Sequence, residues 1–542
     1  MFATAVAGQG WERVLTGGGQ DQANAVAQTP DGGFVVTGFY GLSKILLLKT
    51  DIDGKLQWSK NFNLGTEAAG SAIVTTQDGG YAVAGYFKAP NGYNDVYLFK
   101  TDGFGKLLWE SNYAGNLGRN DEATGLVELP DGSLIVSGFT TNNFIPVTGE
   151  YTEDVLVIKT DKNGNQQWVK TFGDPLFKEK GNAIALAQNG DLLIAGEHRE
   201  QQAAPGDFDF YALRIDDEGT KIWSQTYGFS GLDDAARAVV ATADGHFVLA
   251  GRTLFGQGAA GFLMKINGDG NSLFLWQKTF PKTDFNGLSA DKNGGYFVSG
   301  KKDVTAAQGD LYIARVDAEG EKLCEAVVGK AGPDESFDVV ATPDGGAAAV
   351  GYSYPFFNGS ESNAYLVKAD LDCVVFTSYI KGNIFKDLNN NCTLDNNEQG
   401  LEDYIVSINS PFFSRYAVAD KDGNFRLAVD TGHYDIKLFP PNEYWKACNV
   451  ITKVAVQDFY DTVETVIPVR SVNPCPRNEV DIATPILRQC NDNTYTIRYC
   501  NSGTATSADT RIEVDFDPAL TVTGSSIFGV ETPPGSNHFV YN

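Results

Sequence analysis

The first 323 residues contain no cysteine, and the seven cysteines that follow include no C-x-x-C pair. Only four histidines accompany them, so a zinc site is not expected, and cysteines crowded toward the C-terminal end indicate an oxidising compartment. Their odd number leaves one thiol unassigned. Lysine and arginine form no cluster, and 42 of them stand against 68 acidic residues. No stripe is available for phosphates, which removes nucleic acid as a partner. Long apolar runs are also missing. Stretches such as "ILLL" and "GGAAAVGY" stop at charge or glycine well short of the ~20 residues of a membrane helix, so no transmembrane segment is expected. No G-x-S-x-G, H-E-x-x-H or P-loop occurs, and His198, His246, His433 and His538 fall in different repeats or domains. No persistent 3.6-residue apolar period appears, which removes a helical solenoid.

What is present is repetition. A unit of roughly fifty residues recurs, marked by a basic residue two before an acid or amide: Lys49/Asp51, Lys100/Asp102, Lys159/Asp161, Arg214/Asp216, Lys265/Asn267, Arg315/Asp317 and Lys368/Asp370. A second marker, a strand-like run ending in glycine, places Gly38, Gly85, Gly138, Gly196, Gly251, Gly300 and Gly351 in register. Each unit reads as four short strands joined by turns such as "TPDGG" and "DIDGK", whose Asp-Gly pairs supply the positive φ of tight hairpins. The pattern predicts an all-β chain led by a seven-bladed β-propeller. Trp11 aligns with Trp58, Trp109, Trp168, Trp223 and Trp276, residues read as interblade packing, while Cys324 holds the Trp position in the sixth unit. The seventh unit stops after its third strand. The N-terminal "WERVL" is therefore expected to complete it and close the ring, leaving no open edge.

Between the glycine and basic markers the seven counts are 11, 15, 21, 18, 14, 15 and 17, so the second-to-third strand connections vary where the other turns do not. These loops share one face with the blade-to-blade connections and carry aromatics, including Phe144, Phe208 and Phe356. Drift at tolerant positions explains their variation equally well. An acid recurs in the blade-to-blade connections at Asp21, Asp121, Glu179, Asp234 and Asp334, with Glu67 and Asp284 one step out of register. These acids either ring the mouth of the central channel as a cation or polar-ligand site, or accept backbone N–H bonds and hold their turns; the second reading is preferred.

After Asp372 the repeat ends. In "FKDLNNNCTLDNNEQG" oxygen-bearing side chains fall at positions 1, 3, 5, 7, 9 and 12 counted from Asp387: Asp387, Asn389, Asn391, Thr393, Asp395 and Glu398. That is the ligand spacing of a calcium loop. Strand-like segments flank it, and Cys392 replaces the glycine at the sixth position, so an EF-hand is not expected. The D-x-N-x-N-x-x-x-D-x-x-E loop and its strands resemble the calcium-binding B-type repeats of bacterial surface adhesins over residues 378–470. The resemblance implies structural Ca2+ held by the side chains of Asp387, Asn389, Asn391, Asp395 and Glu398 and the carbonyl of Thr393. Cys392 and Cys448, after "NEYWKA", are candidates to staple this module. The segment around "YTIRYCNSGTATSADTRIEV" is similar to Ig-like repeats of secreted bacterial surface proteins.

The expected organisation is a targeting remnant or tail at 1–9, the propeller at 10–377, a calcium-binding sandwich at 378–470 and an Ig-like sandwich at 471–542. The small-residue pattern of "MFATAVAGQG" reads as the stump of a signal peptide, and the chain as part of a larger parent. The expected function is extracellular or bacterial cell-surface adhesion without catalysis, the propeller binding a glycan or protein through its variable-loop face. The alternative is a polysaccharide hydrolase or lyase, because a pair of catalytic carboxylates leaves no linear signature.

Overall fold

The computed structural model describes residues 10–541 apart from 17–18, 114–118, 146–149, 175–176, 201–207, 229–231, 256–257, 272–273, 304–308, 330–331, 355–360, 377, 411–413, 430–431, 458–460, 473–475, 477, 484–495, 502–504, 508–509, 517–521, 523–529 and 532–536. Every regular element among these is a strand, and no helix is long and apolar enough to cross a membrane. The chain divides into two compact units, Met1–Phe376 and Thr377–Asn542.

Among the described residues, the first unit contains seven sets of four antiparallel strands, the third and fourth sets being joined into one sheet by a parallel pairing of Glu153 with Lys178. The first consists of Asp21–Gln28, Phe34–Tyr40, Lys44–Thr50 and Leu56–Asn63 in that spatial order. Blades two to six follow the same order over 68–113, 121–172, 177–227, 234–281 and 283–328. The seventh takes its three inner strands from 334–369 and its outer strand from Trp11–Val14, which runs antiparallel to Asn363–Ala369 with Trp11 opposite Lys368. The basic marker meets the acid of its blade's first turn in space. Lys49 Nζ lies 2.5 Å from Asp31 of the "TPDGG" turn, and Lys100–Asp78, Arg214–Asp191, Lys265–Asp244, Arg315–Asp291 and Lys368–Asp344 repeat the pair. These six basic residues tie the first hairpin to the third strand, while Lys159 reaches the Asp217 carbonyl of the fourth blade at 2.9 Å.

Each joint between blades has its own apolar cluster. Trp11, Phe34 and Leu46 pack with Ala348 and Leu366, which seals the seventh blade against the first. Fully burying a side chain such as Phe34 or Leu46 contributes roughly 1.5–3 kcal/mol.

On the outer strands the tryptophans follow one rule. The ring of each lies on the turn glycine of the next blade: Trp11 on Gly54, Trp58 on Gly105, Trp109 on Gly164, Trp168 on Gly219, Trp223 on Gly270 and Trp276 on Gly320. A Cβ on Gly105 would come within 2.7 Å of the Trp58 ring, and the backbone there has φ +75°, so the joint requires glycine twice over. The seventh joint departs from the rule. Cys324 occupies the Trp position, Cys373 occupies the glycine position at φ 59°, and the two form a disulfide. The cysteine at the Trp position is half of a covalent replacement for a packing contact.

In the second unit two four-stranded sheets enclose one core. In one, Ser378–Lys386 lies between Asn424–Val429 and the parallel Thr462–Ser471; in the other, Ile405–Asn409 lies between Ser414–Val418 and Gly432–Phe439. Strict alternation along Gly432–Phe439 turns Tyr434, Ile436 and Leu438 inward to meet Ile380, Val406 and Trp445. Beyond residue 477 the described strands form a two-stranded and a three-stranded sheet.

Candidate functional site

The innermost strand of each propeller blade turns alternate side chains toward the joints on its two sides, as Ala23 packs with the seventh blade and Ala25 with the second. Asp21, Asp121, Asp234 and Asp334 are wholly buried and Glu179 nearly so. They stand on the side of Ala23, Ala123 and Ala236, which pack in the interblade clusters, rather than lining the channel mouth. Asp21 Oδ1 accepts the Gly41 N–H at 3.1 Å, the turn-holding arrangement. Neighbouring positions face the blade that follows. Three residues after the acid, Asn24 donates to the carbonyl of Gly70 and Asn182 to that of Ala236, each at 2.9 Å, and Thr124 donates to the carbonyl of Gly181 at 2.8 Å. Each crosses to the next blade.

One residue after the acid lies the strongest concentration of chemistry, spread over the third and fourth blades. Glu122 is the register partner of Phe139, and Lys180 is the register partner of Glu197. The Lys180 ammonium sits 3.9 Å from the centre of the Phe139 ring, which places it beside Glu122. Burial raises the pKa of Glu122, against a hydrogen bond from the Asn94 amide at 2.8 Å and the charge of Lys180. Burial likewise raises Glu197, with Lys180 acting in opposition and Glu153 adding to the rise. Two carboxyls that burial pushes toward their protonated forms thus flank one ammonium, residue types from which a general acid and a general base are drawn. In the fifth and sixth blades Arg237 lies 2.9 Å and Arg252 3.9 Å from Asp284, whose pKa burial raises. Of these, Asp284 alone stands near the repeat of acids in the sequence reading; Glu122, Lys180 and Glu197 were missed, although Glu122 and Lys180 each follow a repeat acid by one residue.

Of the aromatic candidates, Phe208 lies under Arg199, its ring centre 4.9 Å from the guanidinium carbon. Phe144 is opposite Tyr151 in a strand pair of the third blade; its side chain, and the whole of Phe356, fall outside the described residues.

In the second unit, the loop expected to hold calcium joins two strands. Asp387 is buried, its two carboxylate oxygens accepting the N–H groups of Asn391 at 3.2 Å and Cys392 at 3.0 Å. The amides of Asn389 and Asn391 both donate to Asp395 Oδ2, at 2.7 and 2.8 Å, and Glu398 accepts the N–H groups of Leu388 and Asp395. Thr393 donates its N–H to Asn391 Oδ1. Positions 1, 3, 5, 9 and 12 are thus drawn together, and the donor set is hard oxygen throughout. Their oxygen chemistry suits a calcium ion, while in this structure the side chains bond to one another and to N–H groups of the loop. Cys392 takes φ 61°, the conformation glycine supplies at this position in helical loops, and forms a disulfide with Cys448. The Cys448 sulfur lies 3.4 Å from Asp387 Oδ2, but as a disulfide sulfur it is no thiolate ligand.

No family profile matches the chain, and no curated protein does. Several solved structures are similar to it. A protein of unknown function from Dyadobacter fermentans has a TM-score of 0.41 at 15% identity over 67% of this chain and 99% of that one. An ulvan lyase of polysaccharide lyase family PL25 has a TM-score of 0.42 at 10% identity over 65% and 95%. The Penicillium chrysogenum alpha-L-arabinanase has a TM-score of 0.37 at 11% identity over 66% and 95%. The expectation of a non-enzymatic chain is corrected here, since a lyase, an arabinanase, glucose dehydrogenases and an alcohol oxidase stand among the similar structures. What those proteins act on is a property of theirs; chemistry in this chain has to come from its own side chains.

Proposed function

We propose that the propeller is a carbohydrate-active enzyme that cleaves a polysaccharide at the channel mouth of its variable-loop face. The observation that carries this reading is the group Glu122, Lys180 and Glu197, in which burial holds two carboxyls toward protonation on either side of a cation. One carboxyl donates a proton to the leaving glycosidic oxygen while the other, ionised, takes a proton from water or from the sugar. The Phe139 ring beneath Lys180 keeps water from that side, and Lys180 offers a positive charge to an anionic sugar or a developing oxyanion. The enzyme reading keeps a glycan as partner and drops adhesion as the end of the matter.

Two disulfides indicate an oxidising compartment, and extracellular or cell-surface placement belongs to the same proposal. Calcium in the loop of the second unit, held by Asp387, Asn389, Asn391, Asp395, Glu398 and the Thr393 carbonyl, would stiffen that sandwich and take no part in the chemistry.

The test is a panel of neutral and anionic polysaccharides incubated with the full chain, read by new reducing ends and by the ultraviolet absorbance of an unsaturated sugar. The second signal separates a lyase from a hydrolase. Glu122→Gln and Glu197→Gln should each lower kcat by ~10²–10⁴ with little change in KM. Full activity in both variants would refute the assignment.

A further inference from the structure

Cations that stand apart in the sequence meet on the fifth blade, next to the blade that carries Lys180 and Glu197. Its innermost strand, Asp234–Ala241, shifts register between Ala236 and Ala238, which leaves Arg237 out of the strand pairing. Asn24, Thr124, Asn182 and Asn286 hold the same place in other blades and reach a backbone carbonyl of the next one. Arg237 instead donates to side chains of the sixth blade, to Asp284 Oδ1 at 2.9 Å and to Asn286 Oδ1. Arg252, on the second strand opposite Ala235, turns toward the same acid: its Nη1 lies 3.9 Å from Asp284 Oδ2, and its Nη2 lies 3.5 Å from Asp233 Oδ2. Two guanidiniums therefore share Asp284.

Arg237 is committed by its hydrogen bonds, and Arg252 is not. Among the described residues Arg252 donates no hydrogen bond, and its Nε is buried without a partner. The two carboxylates beside it act on it through charge alone. Of these, Asp284 is already held by Arg237 and is pushed toward its protonated form by burial. The Arg252 side chain remains 31% exposed, so a ligand can reach it. A guanidinium carries five N–H donors in a planar fork that suits a planar anion, and a charged donor left without an acceptor is costly. The same two arginines act on Glu197, both opposing the rise that burial gives it, as Lys180 does. Cations of the fourth and fifth blades thus bear on one of the two carboxyls assigned to proton transfer, in a chain whose net charge is -26.

We propose that Arg252 makes the propeller selective for an acidic polysaccharide, its guanidinium donating to a carboxylate or sulfate of a sugar that lies against Lys180 and Glu197. The inference rests on the polysaccharide reading of that site and supplies its substrate class. A neutral sugar offers only hydroxyls, which leave the charge of Arg252 without a close counter-ion. An acidic sugar replaces two long carboxylate contacts with a bidentate one. The hydrogen bond from Arg237 keeps Asp284 from closing on Arg252 and leaves that place to the ligand.

The full chain is titrated by calorimetry with an oligogalacturonate, which carries carboxylates, with a sulfated dextran oligosaccharide and with the unsulfated dextran oligosaccharide. At least one acidic oligosaccharide should bind ~10-fold or more tightly than the neutral one, and which of them does so distinguishes carboxylate from sulfate. Arg252→Gln should weaken that binding roughly 10- to 100-fold, the range for hydrogen bonds to a charged group, and Arg252→Lys, which keeps the charge and loses the fork, should fall between. Because Arg252 donates no hydrogen bond among the described residues, the lysine variant should melt with the native chain, and it carries the test if the glutamine variant does not fold. Equal affinity for acidic and neutral oligosaccharides, no binding of either acidic one, or native affinity in both variants overturns the proposal. Binding is read without turnover, so the two readings fail separately. A chain that binds acidic sugars through Arg252 and cleaves none refutes the enzyme assignment alone. Cleavage of a neutral polysaccharide that Glu122→Gln abolishes and Arg252→Gln leaves intact refutes the selectivity alone.

Discussion

Replacing Cys324 and Cys373 by serine removes the one covalent joint of the propeller while leaving the Cys392–Cys448 disulfide of the other unit in place. The bond closes a loop of sequence separation 49. In the chain-entropy account, freeing a loop of that length costs about 4 kcal/mol. The other six joints set a reference, because each places a tryptophan on a glycine at the same two positions. Cys324→Trp with Cys373→Gly should therefore recover part of the loss. A half-buried indole contributes about 2 kcal/mol, taken as half of what truncating a fully buried one costs. Glycine also relieves the left-handed backbone at φ 59°. Denaturant unfolding of the full chain, followed by tryptophan fluorescence, should rank the native chain first, the Trp/Gly variant second and the double-serine variant last. Equal midpoints for the native and double-serine chains would refute the clamp. A Trp/Gly variant below the double-serine one would refute the equivalence of the joints.

Deleting residues 1–16 strips the outer strand from the seventh blade and uncovers the cluster that Trp11 joins, so the truncated chain should aggregate or lose its cooperative melt, read by light scattering and calorimetry. Calcium should raise, and EDTA lower, the melting of the second unit, and Asp387→Ala with Glu398→Ala should erase that response; a melt indifferent to calcium in the native chain would remove the loop site. For Asp31, burial alone would raise the pKa, but hydrogen bonds from Lys49 and Thr29 bring it down from 3.8 to about 2. A lowered acid contributes stability that is present above 3.8 and lost as pH falls toward about 2, so an Asp31→Asn chain should show a shallower acid loss in that window. Asp338 behaves oppositely: enclosure pushes it up to about 6 despite N–H bonds from Val26 and Val339. Its contribution is present below 3.8 and lost as pH rises through about 6, a decline that melting of Asp338→Asn against pH should lack.

The number of repeats, the closing role of Trp11–Val14 and the all-β class were legible because they rest on local rules. Turn glycines recur at fixed offsets, apolar residues alternate with a period of two, and a missing fourth strand at one end is matched by a spare one at the other. The spacing from Asp387 to Glu398 was legible for the same reason: its side chains are neighbours in sequence before they are neighbours in space. Other relations are made only when the ring closes. The basic marker and the turn acid lie about twenty residues apart, and nothing in the chain says that Lys49 reaches Asp31 until the third strand pairs with the second. That Cys324 belongs with Cys373 follows from laying one blade on the next, since tryptophan and glycine positions face each other only across a joint. Whether an acid at the head of an innermost strand meets the channel or the neighbouring blade was likewise undecided in sequence, because alternation fixes opposite faces but not which face is which. Packing decided it: the side bearing Ala23, Ala123 and Ala236 had apolar partners in one joint, so Asp21, Asp121 and Asp234 went with it, and the next residues, Glu122 and Lys180 among them, were turned to the other side, where Lys180 meets Phe139.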